Sequence, residues 1–227
     1  MNVLTAESRP PNTVRAAKRE PMQLYFFVGA CSLADHIVLE WLKVPYETVR
    51  MNHESIKTVE YLAINPAGTV PALVDGTLSL TENIAILGYL SDLYPEAQLL
   101  GDGTPRGRAQ AMRWLGFLNS DVHGAFKPIF SPGRYLPDPA FAEAIADAAR
   151  LRVRGYLDIL DAQLNGRSWL TGHRTAADAY LFVMLRWAAR LKVGITDYSN
   201  LLDFVERLQA DEGVRTAIFD EESDVTK

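Results

Sequence analysis

The chain has 227 residues, 48% of them hydrophobic and 22% charged, enough apolar material for one large domain or two compact ones and too much for a disordered protein. A formal net charge of -5 argues against binding a nucleic-acid backbone, and no apolar run approaches the roughly 20 residues that span a bilayer. The chain also opens without the apolar core of a secretory signal, and its single cysteine excludes an intrachain disulfide or a cysteine-based metal cluster. Together these features predict a soluble, cytoplasmic protein with no membrane partner and no metal.

Residues 1–21 place Arg9, Arg15, Lys18 and Arg19 among prolines without helical or strand periodicity and read as a flexible arm. Glu7, Glu20 and the Pro10-Pro11 pair count against a transit peptide, which is acid-poor and amphipathic. Met22 to Phe27 is a short apolar and aromatic run, predicted to be a buried strand, and Gly29 breaks it. From Ser32, read as a cap, Leu33, Ile37, Val38 and Leu42 recur with helical spacing. A second strand is predicted at Tyr46 to Val49, then a short helix through Val59, Tyr61 and Leu62 that ends at Asn65-Pro66. Ala72 to Val74 and Leu78 to Leu80 flank Asp75-Gly76, a hairpin signal, and Thr81 is placed to cap a helix through Ile84, Leu87, Leu90 and Leu93. This order fits a small α/β domain with a mixed sheet, over residues 22–98.

The Gly- and Pro-rich stretch from Pro95 to Pro105 is the domain boundary the sequence suggests, and beyond it residues 106–227 read as all-helical. Helices are predicted at about Arg106 to Phe130, Pro139 to Leu164, Thr175 to Leu191 and Asn200 to Ala210, with a short one near Val214.

Cys31 falls at the strand-to-helix turn, where a helix N-terminus lowers a thiol's pKa; read alone, it fits a reactive nucleophile or a small buried hydrophobe equally. Asp35 in the first helical turn opposes a nearby thiolate, and His36, five residues on, points about 140° around the helix axis from Cys31 and reads as structural. Val70-Pro71 opens a strand, where unpaired backbone groups could take an extended peptide alongside; a plain turn proline is the other reading. At the next helix start, free amides could hold a carboxylate while Glu82 accepts an ammonium, a grip for an amino-acid zwitterion; ordinary acid placement in a first turn is the alternative. Gly116, Asn119, Ser120, His123 and Lys127 form a polar stripe at helical spacing, in which His123 could act as a base near neutral pH or donate to a thiolate. Thr175 and Asp178 make a capping-box variant, read as folding, and Trp187 suits the core or the wall of an apolar pocket.

Four segments in order, Gly29-Ala-Cys-Ser-Leu-Ala-Asp-His-Ile37, Asn65-Pro-Ala-Gly-Thr-Val-Pro-Ala72, Thr81-Glu-Asn-Ile-Ala-Ile86 and Thr175-Ala-Ala-Asp-Ala-Tyr-Leu181, make the chain from Met22 onward resemble the bacterial Beta-class glutathione S-transferases. The resemblance implies a thioredoxin-like α/β N-terminal domain, an all-α C-terminal domain and a homodimer that conjugates glutathione to small hydrophobic electrophiles, a detoxifying reaction, with glutathione as co-substrate and no cofactor. It implies that Cys31 contacts the glutathione sulfur and can form a mixed disulfide with it. Val70, before a cis Pro71, would pair with the cysteinyl group, and Glu82 and Asn83 would bind the γ-glutamyl end. His123 would reach the cysteine from the helical domain, Asp121 would be offered to the neighbouring subunit's glutathione, and Trp187 would line the second-substrate pocket. Asp35 stands where the family commonly has proline, Gly116 where relatives can carry a glutathione-contacting asparagine, and Met51 to Ser55 lacks the family's lysine-rich stretch. Thiol-disulfide exchange through Cys31 and noncatalytic glutathione binding are the two alternative functions.

Overall fold

The computed structural model describes residues 20–223; the predicted basic arm, but for Glu20 and Pro21, lies outside the described residues. Strand β1 (Met22–Phe26) buries Met22, Leu24 and Phe26 on one face, the alternation that a pleated strand imposes. It pairs in parallel with β2 (Tyr46–Arg50), and the crossover between them is α1 (Leu33–Leu42). On its other side β1 runs antiparallel to β3 (Ala72–Asp75), which forms a hairpin with β4 (Leu78–Thr81), giving the order β2-β1-β3-β4. The two-residue loop of that hairpin is Gly76-Thr77, one position later than the sequence suggested, because Asp75 still pairs with Leu78. Gly76 takes φ 58 at the first loop position, which its missing Cβ permits.

The short helix α2 (Val59–Ile64) is capped by Thr58, whose hydroxyl accepts the Tyr61 N–H at 3.3 Å. Two predicted caps are corrected by the structure. Ser32 precedes α1 without capping it, since its hydroxyl donates to Phe27 O at 3.4 Å. Thr81 belongs to β4, and the residue before α3 (Asn83–Leu93) is Glu82, whose backbone takes φ 72 and ψ 120 and whose side chain makes no cap bond.

The predicted helix from 106 to 130 is continuous in space but changes character: α4 (Pro105–Phe117), a π turn at Leu118–Val122, then α5 (His123–Phe130). The extra residue of the π turn shifts the phase of the side chains after it. Long α6 (Ala142–Leu164) buries Ala146, Ala149, Val153, Leu157, Leu160 and Leu164 along one stripe. Helix α7 (Ala176–Arg190) is buried on nearly every side and opens on the predicted Thr175/Asp178 capping box, with Asp178 Oδ2 accepting the Thr175 N–H at 2.7 Å. Helices α8 (Ser199–Ala210) and α9 (Glu212–Glu222) complete the helical half. No helix among the described residues is long and apolar enough to cross a membrane.

Helix α1 joins the two halves, lying against α3 on one side and α7 and α9 on the other. That enclosure buries the whole run Leu33 to Leu39, so Asp35 in the first turn and His36 after it are both 0% exposed, and His36 is a core histidine.

Glu82 is the clearest strained position: a non-glycine residue in this region costs about 1–3 kcal/mol, against which a glycine's extra unfolded-state entropy is about 0.5–1 kcal/mol. Glu82→Gly should therefore raise the unfolding free energy by about 1 kcal/mol in a denaturant titration, and a loss of similar size would contradict the strain.

Candidate active site at the end of the sheet

The strand registers bring three segments together. With Tyr25 opposite Ala72 on the antiparallel pair, the chain leaving β1 toward Cys31 must pass the chain entering β3 at Val70-Pro71. With Ala72 opposite Thr81, the exit of β4 into Glu82 lies beside the same point. The Val70-Pro71 bond is cis, and the Cys31 thiol donates to Val70 O at 3.7 Å. The Asn83 side chain turns inward, 3% exposed, and its Nδ2 donates to Cys31 O at 2.7 Å and to Asp35 Oδ2 at 3.2 Å. It holds the starts of α1 and α3 together through its Nδ2, and its backbone amide stands at the helix start. By helix geometry that amide and the next have no intrahelical acceptor, and the Glu82 carboxylate stands exposed beside them. An anion and a cation could therefore be held a few atoms apart, as an amino-acid zwitterion requires.

Cys31 is 9% exposed, and its thiol is pushed up to about 12, by burial first and by the Asp35 charge second. Asp35 is itself held well above the usual carboxylate range by burial, then by Glu221. Burial is the larger cause and the Asp35 charge the second, acting in the direction the sequence predicts, and together they keep the thiol protonated. The thiol is therefore a hydrogen-bond donor at neutral pH.

From the helical half, α5 and α7 face the Cys31 loop across a cavity of about 500 Å³ lined by Cys31, His123, Phe130, Trp187 and Arg190 among others. His123 makes no direct bond to the sulfur; its Nδ1 lies 2.7 Å from the Tyr180 hydroxyl. That hydroxyl donates its one proton to Asn119 Oδ1 at 3.2 Å, so Nδ1–H of His123 is the donor to Tyr180 and Nε2 keeps its lone pair. Burial, then the Lys127 charge, lowers the His123 pKa to about 4, so the ring is neutral at pH 7. The π turn splits the predicted polar stripe: Asn119 and His123 turn toward Tyr180, while Ser120 and Lys127 are exposed. Trp187 packs edge-on to His123 and Phe130, each at 4.9 Å between ring centres, and its Nε1 donates to Gly29 O at 2.8 Å.

Asp121 is not brought to this cavity. Its Oδ2 accepts from Ser120 Oγ at 2.7 Å, and it lines a separate hollow with Arg152 against α6.

Sequence reasoning missed three residues. Tyr180 follows the capping box and carries no assigned role in the sequence reading, although its spacing of seven from Trp187 puts both on one helix face. Glu221, 1% exposed, accepts the Gly29 N–H at 3.0 Å across 192 positions of sequence, which no local pattern signals. Arg190 closes the α7 side of the cavity as the last residue of the helix, which a cation suits in any case.

Comparison with known proteins agrees with this arrangement. Residues 20–92 match the family model of the glutathione S-transferase N-terminal domain, and residues 125–212 that of the C-terminal domain. The chain is 46% identical to glutathione S-transferase GST-4.5 of Xanthomonas campestris pv. campestris, over 87% of this chain and 97% of the relative. It superposes on a glutathione S-transferase from Xylella fastidiosa with a TM-score of 0.85 at 44% identity, covering 88% of this chain and 98% of the other. A bacterial Beta-class glutathione S-transferase from Sphingomonas chungbukensis superposes with a TM-score of 0.78 at 35% identity, over 88% and 98% of the two chains. With both halves of the fold matched and nearly the full length of its relatives covered, the chain belongs to the glutathione S-transferase family.

Proposed function

We propose that this transferase joins the sulfur of reduced glutathione to a small apolar electrophile, with residues 22–98 binding the tripeptide and residues 106–227 supplying the second-substrate pocket. The observation that carries the reading is the meeting of the Cys31 loop, Val70 and the Glu82-Asn83 helix start at one end of the sheet, facing a cavity walled by His123 and Trp187.

In this arrangement the γ-glutamyl ammonium rests on Glu82 and its carboxylate on the first amides of α3, while the cysteinyl backbone pairs with Val70 as an added strand segment. The glutathione sulfur then lies between Cys31 and His123. His123 Nε2 accepts the thiol proton, Cys31 donates a hydrogen bond to the thiolate, and the thiolate attacks the electrophilic carbon as the leaving group departs with its electron pair. Trp187 and Phe130 enclose the apolar body of the electrophile. A homodimer, with Asp121 reaching the neighbouring subunit's glutathione, completes the site, and the supply of glutathione places the enzyme in the cytoplasm.

Exchange through a Cys31 mixed disulfide would require the Cys31 thiolate. With burial holding the thiol up at about 12, little of it is thiolate at pH 7, which favours conjugation over exchange.

Two measurements test these assignments. Cys31→Ala should lower kcat/KM for conjugation of a chlorodinitrobenzene by about tenfold, the worth of one hydrogen bond to a charged sulfur, without abolishing it. Complete loss would make Cys31 the nucleophile instead. The His123 ring should titrate near 4 in histidine-selective NMR, with its resonance assigned through His123→Gln, and glutathione should raise that midpoint by placing a thiolate opposite. Because the unfolded ring titrates near 6.5, the stability contributed by a neutral His123 is fully present above pH 6.5 and is lost as pH falls through about 4. A midpoint near 6.5 in the native protein contradicts the buried, neutral base.

A further inference from the structure

Arg190 supplies the cavity with a charge that neither the core nor the thiol chemistry uses. It is exposed at the end of α7, and its guanidinium lies over the Cys31 loop, where a Cβ on Gly29 would come within 2.9 Å of Nη1. Arg186, one turn earlier, pairs with Glu222 at 3.3 Å. Arg190 has no ion-pair or hydrogen-bond partner among the described residues. A cation in the last turn of a helix gains some tenths of a kcal/mol from the helix dipole, but that gain does not require the guanidinium to lie along a cavity wall.

The surrounding wall is largely apolar, with Phe27, Val28, Phe130, Trp187 and Leu191. Its two other ionisable groups, Cys31 and His123, are both neutral at pH 7. The cavity therefore presents an aromatic surface with one uncompensated positive charge at its rim. Water is partly excluded by the rings, so an anion placed there interacts more strongly than at an open surface, and a planar guanidinium matches a carboxylate in a two-point contact.

We propose that the second substrate is an aromatic electrophile bearing an anionic group, a carboxylate or sulfonate, which Arg190 holds while Phe130 and Trp187 enclose the ring. This rests on the transferase reading above. The anionic group takes no part in the substitution: the glutathione thiolate still displaces the leaving group at a ring carbon, and the proton remains on His123 until solvent takes it. The other carboxylate that could reach Arg190 is the glycyl end of glutathione, and the experiment separates the two.

Calorimetric binding of two unreactive probes, dinitrobenzoate and dinitrobenzene, should show the wild-type protein preferring the carboxylate by about five- to tenfold. R190Q should erase that preference and R190K should keep part of it. In turnover, the ratio of kcat/KM for chlorodinitrobenzoate over chlorodinitrobenzene should fall by the same factor in R190Q. Equal binding of the two probes by the wild type, or an undiminished preference in R190Q, overturns the proposal. So does a rise in the KM for glutathione in R190Q with no change in the ratio, which would assign Arg190 to the glycyl carboxylate. If neither chlorinated probe is turned over while the Arg190-dependent preference stands, the anion subsite holds and the transferase reading of the site fails.

Discussion

The buried amide of Asn83 is the contact on which the site depends. Its Nδ2 donates to Cys31 O and to Asp35 Oδ2, so a single side chain joins the first turn of α1 to the first turn of α3 across the end of β3. Such a bond is worth about 1 kcal/mol net, but its loss would leave two acceptors buried without their donor, a cost of about 1–3 kcal/mol for each. The same residue explains how Glu82 is held at φ 72: with Thr81 paired to Ala72 on one side and Asn83 anchored on the other, Glu82 has no freedom to relax. Local strain at the point of ligand contact is thus maintained by the surrounding hydrogen bonds.

A second constraint comes from the helical half. Gly29, at φ 69, is held through its carbonyl by Trp187 and through its N–H by Glu221, while Arg190 lies over its α-carbon. The loop that presents Cys31 is therefore fixed by residues from α7 and α9, and the two halves of the chain position one another's functional groups. His123 follows the same logic in reverse: its ring is oriented by Tyr180 and Trp187 of α7, so its free nitrogen is set before any substrate arrives. Preorganisation of this kind lowers the cost of ordering a thiolate in a site partly shielded from water.

Much of the fold was legible in local chemistry. The strand-to-helix turn at Cys31, the hairpin, the Thr175/Asp178 box and the stripe of α6 all follow from side-chain period and cap chemistry that act over a few residues. Elsewhere tertiary packing overrode the local pattern. The sequence places Asp35 in the first turn of α1 and leaves His36 as a structural residue, but α1 is covered on more than one side and both are buried, and nothing in their local spacing reveals α9 above them. Thr81 has the better cap chemistry, yet strand pairing with Ala72 claims it and passes the cap position to Glu82. The π turn before His123 is invisible to a pattern of 3.6 residues, and the predicted stripe divides across it, with Asn119 and His123 at Tyr180 and Lys127 exposed. Glu221 and Arg190 gain their importance only from a glycine far away in sequence.

Whether a buried amide organises a glutathione site can be decided by titrating reduced glutathione calorimetrically into the wild-type chain and into Asn83→Ala, a change to a side chain that faces away from the ligand. The wild type should bind saturably, and affinity should fall by about tenfold or more in a variant that still unfolds cooperatively, as the loss of one charged-group contact or its geometry implies. Wild-type affinity in a cooperatively folded Asn83→Ala, or no binding of glutathione to the wild-type protein, would refute that role for Asn83.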